Sequence, residues 1–317
     1  MSATTLTVLP RQLPKPTKGY LPVTSAVDTT SSYAQWKPSI IVPPTFRPSR
    51  PGETRTYVVT NNKGGVGKTT TGVELAAEMA ARGLIVRLIQ ADPQGDTWLP
   101  VRYLEDRPQF DLRHVFLGAD PEPGTRGPGR EVTLDEATWQ TPFHNLYIVP
   151  CYEDLSRVEY ERPIDVENRL HQAIEESELG VDVNIIDASR SMGIVPIAAL
   201  RAANRAIVPL QAGVLDAQAM KRLHRIFTQV RERANPTLDI AAVLMTDFEK
   251  TALARQVEQQ LAIDHPDAVL CPIRHEARVR EAPGFGKPTR LYAPRSSAAS
   301  DYDQLGPIIH PTQESAV

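Results

Sequence analysis

The chain has 317 residues, 41% of them hydrophobic, and a formal net charge of −3. That length is ample for one large core or two small ones, and a charge so near neutrality names no partner by itself. The cysteines, Cys151 and Cys271, stand far apart with no companion at metal or disulfide spacing, which excludes a disulfide framework and an iron–sulfur or structural zinc site and fits a reducing cytosol.

Residues 1–54 are rich in proline, threonine and serine, as in LPRQLPKPTKGYLP and KPSIIVPPTFRPSRPGETR. Proline fixes φ and removes a backbone donor, and no helical or alternating period runs through the stretch. An extended, mostly disordered arm is expected. Composition leaves open whether it is a tail without a role or a partner-binding peptide. No charged-then-apolar signal pattern opens the chain, and no apolar run approaches the ~18 residues that cross a bilayer, so a cytoplasmic protein is expected.

From Tyr57 the texture changes. Apolar runs (YVVTN, LIVRLIQA, NLYIVP, VNIID, AIVPL, IAAVLMT, AVLCPI) alternate with helical spacings such as Leu223, Ile226, Phe227, Val230 and Leu253, Val257, Leu261. Runs apolar throughout suit parallel strands covered on both faces. The expectation is one α/β domain over residues 55–310, with a doubly wound, mainly parallel sheet flanked by helices, and a short tail at 311–317. GADPEPGTRGPGR, residues 118–130, reads as a loop.

YVVTN reads as a strand and TTTGVELAAEMAARG as a helix stopped by Gly83. The glycine-rich loop between them lies where a helix N-terminus offers free amides to an anion. Gly64, Gly65 and Gly67 permit a tight backbone and its close approach to phosphate. Lys68 supplies charge to the β- and γ-phosphates, and the Thr69 hydroxyl is placed to ligate Mg²⁺. With Lys63, Val66 and Thr70 they make up the expected nucleotide-binding segment. The general pattern G-x-x-x-x-G-K-[ST] fails, because Asn62 stands at its first glycine; the variant K-G-G-x-G-K-T is met instead. Two aspartates, Asp92 and Asp187, follow apolar strands. A carboxylate at the end of a central parallel strand points into the crevice beside the phosphate loop.

This variant resembles the deviant Walker A loop of the ParA and MinD superfamily of P-loop ATPases. The resemblance implies ATP and Mg²⁺ as cofactors and a homodimer that sandwiches the nucleotides. Lys68 then serves the ATP of its own chain, while Lys63 reaches the phosphates held by the other subunit and takes part in catalysis. ADPQG resembles the family signature D-x-D-P-Q-G, which implies that Asp92 orients or activates the attacking water. Asp187 matches the Walker B aspartate that holds Mg²⁺ through a water. Two departures stand out: Gln90 replaces the first Asp of that signature, and ASRSMG stands where TPPSLG is usual, which introduces Arg190 near the phosphates. They leave weak or altered hydrolysis open.

VREAPGFGKPTRLYAPRSSAASDY resembles a block of plasmid and chromosome ParA proteins. It implies a slow ATPase of plasmid or chromosome segregation. In its ATP state such a protein binds DNA without sequence preference at the nucleoid, and a ParB-like centromere-binding partner stimulates the hydrolysis that releases it. Lys221, Arg222 and Arg225 lie in one locally basic stretch, Arg278 and Arg280 in another. Such clusters hold a phosphodiester backbone by counterion release, unless they are simply solvated helix faces. Lys250 matches a position where relatives often carry a DNA-contacting Arg. The tail GPIIHPTQESAV makes no amphipathic helix, so membrane attachment is not expected. Two other readings are a positioning ATPase for a non-DNA cargo and a weakly hydrolysing, nucleotide-gated regulator.

Overall fold

The computed structural model describes residues 36–50, 52–92, 109–121, 129–190, 193–211 and 214–312. Among them are eight strands: β1 (Arg55–Val59), β2 (Val86–Ala91), β3 (Trp139–Gln140), β4 (Leu146–Val149), β5 (Val183–Ala188), β6 (Arg205–Leu210), β7 (Asp239–Phe248) and β8 (Val269–Arg274). They form one sheet in the order β3-β4-β2-β5-β1-β6-β7-β8. Every pairing is parallel except that of β3 with β4, which closes one edge. The central strands β2 and β5 are buried along their whole length, as continuous apolar runs in a doubly covered parallel sheet require.

Successive side chains serve opposite faces. Val58, Ile89 and Ile186 enter one core cluster, and Tyr57, Val59, Leu88 and Ile185 enter the other. The first cluster is covered by α2 (Leu112–Leu117), α3 (Arg157–Glu161), α4 (Val166–Glu175), α5 (Ile194–Ala202), α6 (Val214–Arg233) and α7 (Ala252–Asp264). The second is covered by α1 (Lys68–Ala81) and α10 (Ser297–Ile309). Two short helices, α8 (Ala277–Glu281) and α9 (Thr289–Tyr292), lie between β8 and α10 in the chain. Helix α1 ends as expected at Gly83, whose φ of +92° only glycine adopts without strain. Most of the predicted loop at 118–130 lies outside the described residues.

The expectation of a disordered arm through residue 54 does not hold for residues 36–50. Ile41 exchanges backbone hydrogen bonds with Leu270 on the edge strand β8, at 2.8 and 3.0 Å. Ile40 and Phe46 are buried, and the Arg205 guanidinium lies 5.4 Å from the centre of the Phe46 ring. Trp36 packs edge-on against Phe248, and its indole N–H donates to Glu258 on α7 at 3.0 Å. Ser49 and the Tyr57 hydroxyl are hydrogen-bonded at 2.6 Å. The segment thus acts as a strap over an otherwise open sheet edge. Its apolar residues are too scattered to show a period, and the partners of Trp36 and Ile41 lie more than two hundred positions downstream. Among the described residues, no helix is long and apolar enough to cross a membrane.

Burial raises the Glu258 carboxyl from its ordinary 4.5 to about 7, against the hydrogen bond from Trp36. The folded chain therefore keeps a proton that the unfolded chain has already lost, so this group's contribution is present below pH 4.5 and disappears as pH rises through about 7. Wild type should lose stability relative to Glu258→Gln across that window in urea titrations at stepped pH. A constant difference would show that the strap contact does not bury this carboxylate.

Candidate functional site

The glycine loop joins β1 to α1 at the carboxyl edge of the sheet. Gly65 and Gly67 have φ of +73° and +81°, which L side chains rarely adopt, and a Cβ on Gly67 would touch the Thr246 side chain at 3.5 Å. The loop is tied down from both flanks. Asn61, fully buried, accepts from the Lys63 amide at 3.0 Å and donates to the Pro209 carbonyl at 2.7 Å. Thr246, at the end of β7, donates its hydroxyl to the carbonyls of Val66 (2.9 Å) and Leu210 (3.1 Å). The Lys63 carbonyl receives the Lys68 ammonium at 3.2 Å, and that of Gly67 receives the Thr71 amide at 2.9 Å. With these carbonyls occupied, the loop is a donor surface suited to an anion.

Lys68, Thr69, Thr70 and Asp92 line one cleft of about 530 Å³ with Gly64, Gly65, Val66 and Gly67. Lys68 is buried, which pulls its ammonium pKa down; Asp187 and then Asp92 oppose that, and Arg190 adds to it. The Thr69 hydroxyl donates to Asp187 Oδ2 at 2.8 Å, and Asp187 is fully buried at the end of β5. A hydroxyl and a carboxylate held together beside a buried ammonium and left-handed glycines fit a polyphosphate with its hard cation. No group of three or more His, Cys, Asp or Glu residues among the described ones forms a separate metal site. Lys63 is half-buried at the start of the loop. Asp92 directly follows β2, and residues 93–108 lie outside the described residues.

Gln90, the departure from the family signature, is fully buried and accepts from the Cys151 amide at 3.2 Å. It joins β2 to the end of β4. Helix α5, which follows the ASRSMG segment, is capped from a distance: Glu159 accepts from the amides of Ile194 (2.9 Å) and Val195 (3.3 Å). A Cβ on Gly193 would fall on that carboxylate. Asn61, Thr246 and Glu159 had no motif to mark them; each is a lone polar residue with at least one partner far along the chain.

The expected basic residues lie on three parts of the chain, α6, the segment after β7, and α8. The side chains of Lys221 and Arg222 lie outside the described ones, while Arg225 is exposed on α6 and Lys250 is exposed after β7. Arg278 and Arg280 project from α8, and Arg280 lines the phosphate cleft and pairs with Asp247 at 3.1 Å. Asp247, with φ of +52°, also binds the His275 ring at 2.6 Å.

A family model described as an AAA domain matches residues 54–240. The chain is also 31% identical over 257 residues to the chromosome partitioning protein ParA of Caulobacter vibrioides, a match covering 79% of this chain and 92% of that protein. The chain belongs to the ParA family. It is likewise 31% identical to the chromosome-partitioning ATPase Soj of Thermus thermophilus, across 79% of this chain and 93% of that one. Among solved structures, the cobyrinic acid a,c-diamide synthase of Mycobacterium smegmatis with bound ADP and magnesium is similar at a TM-score of 0.65. That match is 27% identical and covers 79% of this chain and 91% of the synthase. The ParA-family loop is therefore set in the sheet and helices that surround P-loop ATPase sites.

Removing the Thr246 hydroxyl takes away the one donor shared by the Val66 and Leu210 carbonyls without changing the side chain's shape. Thr246→Val should lower stability by about 1–2 kcal/mol and weaken ATP binding, measured by denaturation with and without nucleotide. Unchanged values of both would mean that the loop holds its form without this tie.

Proposed function

We propose that this ParA-type ATPase is a DNA-partition protein that uses ATP and Mg²⁺ at residues 63–70. The observation that supports this best is the meeting of Lys68, Thr69, Asp92 and Asp187 around a loop that also carries Lys63. The loop amides and Lys68 would bind the phosphates. Thr69 and Asp187 would hold Mg²⁺, which when bound draws charge from the phosphoryl oxygens. Asp92 is suited to orient the attacking water. Lys63 acts elsewhere, completing the site of a second copy, so that association and hydrolysis are coupled. Turnover is slow until a partner acts.

The loaded homodimer binds DNA without sequence preference through its exposed cations, and a ParB-like partner stimulates release, so the protein is nucleoid-associated in the cytoplasm. The relatives named as chromosome-partitioning proteins favour this cargo over a non-DNA one.

Sedimentation in ATP separates the two lysines. Lys68→Ala should lose nucleotide affinity, whereas Lys63→Ala should bind ATP and remain a monomer. A wild-type protein that is loaded with ATP yet stays monomeric would overturn the reading.

Retention on random-sequence DNA should require ATP and fall steeply with salt. Arg225→Glu and Lys250→Glu should weaken it evenly across sequences, each lowering the salt slope by about 1. Salt-insensitive retention, or none, would favour a non-DNA cargo.

A further inference from the structure

The cleft contains a cation that the glycine loop itself does not supply. Arg190 lies two positions beyond the end of β5, in the segment that departs from the usual TPPSLG. Its side chain lies over the loop: a Cβ on Gly64 would be 3.1 Å from Arg190 Nη1 and 3.5 Å from its Cδ. The residue is exposed, lines the same cleft as Lys68 and Thr69, and forms no ion pair with a carboxylate of the described residues.

Its backbone is anchored on the side of β5. Ser189 before it is buried against the fold, and Asp187 one step further back is bonded to Thr69. Arg190 thus directly follows a buried, bonded stretch of chain, with its guanidinium over Gly64.

Lys68 and Arg190 face one concavity, and Lys63 adjoins Gly64 in the loop. Like charges gathered this way repel one another until a polyanion enters. A guanidinium also offers a planar fork that matches two phosphate oxygens, which an ammonium cannot. The Thr69–Asp187 pair marks the end of the cleft suited to the cation and the terminal phosphates, and Arg190 belongs to that same strand-end segment.

We propose that Arg190 is a nucleotide-discriminating residue whose guanidinium, supplied by the same chain, binds the terminal phosphate of ATP and makes the protein prefer ATP to ADP. This rests on the reading of residues 63–70 as the ATP loop and adds to it an in-cis contact that needs no second subunit. Replacement of the two prolines of the related segment by Ser189 and Arg190 has, on this view, moved a phosphate contact into the chain itself.

The test is equilibrium binding of fluorescent ADP and of a fluorescent non-hydrolysable ATP analogue, with Mg²⁺, to the full-length wild type, Arg190→Ala, Arg190→Lys and Lys68→Ala. Arg190→Ala should lose about ten- to hundredfold in affinity for the triphosphate with little change for ADP. Arg190→Lys should fall between, because it keeps the charge and loses the fork. Lys68→Ala should weaken both ligands. If Arg190→Ala weakens both ligands equally, or neither, while Lys68→Ala behaves as expected, the discriminating role is wrong and the loop stands. If wild type binds neither ligand, or Lys68→Ala leaves both unchanged, the loop reading falls and the role of Arg190 falls with it. Thermal denaturation of the variants without ligand checks that the exposed substitution leaves the fold intact.

Discussion

A glycine loop can offer its amides to an anion only while something else occupies its carbonyls. Here that constraint is met by groups drawn from three places. Thr246 on β7 takes the Val66 carbonyl, Lys68 bonds the Lys63 carbonyl from within the loop, and the first turn of α1 takes that of Gly67. Asn61 adds a tie to β6 through Pro209. The donor character of the cleft therefore depends on β1, β6 and β7 lying side by side in the sheet, and not on the glycines alone.

The acidic side of the site is built on the neighbouring strands. Asp187 is the penultimate residue of β5, Asp92 follows β2, and the two strands are paired in register, Gln90 opposite Asp187. Gln90 spends its carbonyl on the Cys151 amide, so the position that lacks the family carboxylate helps to set β4 against β2. Further along the chain, the first amides of α5 rest on Glu159 from α3. α3 and the start of α5 are thereby tied together, since helix-end amides that lose a carboxylate need a replacement acceptor. Tyr160, next to Glu159 in the chain, and Ile164, five positions beyond it, are highly exposed.

The strap answers a different need. A doubly wound sheet that ends on β8 leaves a row of unpaired backbone groups, and residues 36–50 partly cover it through Ile41 while burying Ile40 and Phe46. Proline is compatible with this position because an extended edge segment needs few donors of its own. Its far attachment, Trp36 to Glu258, links the strap to α7 as well as to the sheet.

What could be read from the amino-acid order alone was the chemistry confined to short range. The strand, glycines, Lys68, Thr69 and following helix are contiguous, and the apolar runs ending in Asp92 and Asp187 announce buried parallel strands because such strands must be apolar on both faces. What only the tertiary structure decided was the set of contacts that depend on strand order: Thr246 on Val66, 180 positions away, Glu159 on α5, Arg190 over Gly64 and Trp36 on Glu258. Charge clusters were ambiguous for the same reason, since spacing could not show that Arg280 belongs to the cleft rim with Asp247. A lone polar side chain carries no period and no motif. Its role is set by which distant strand end the sheet brings within hydrogen-bonding distance.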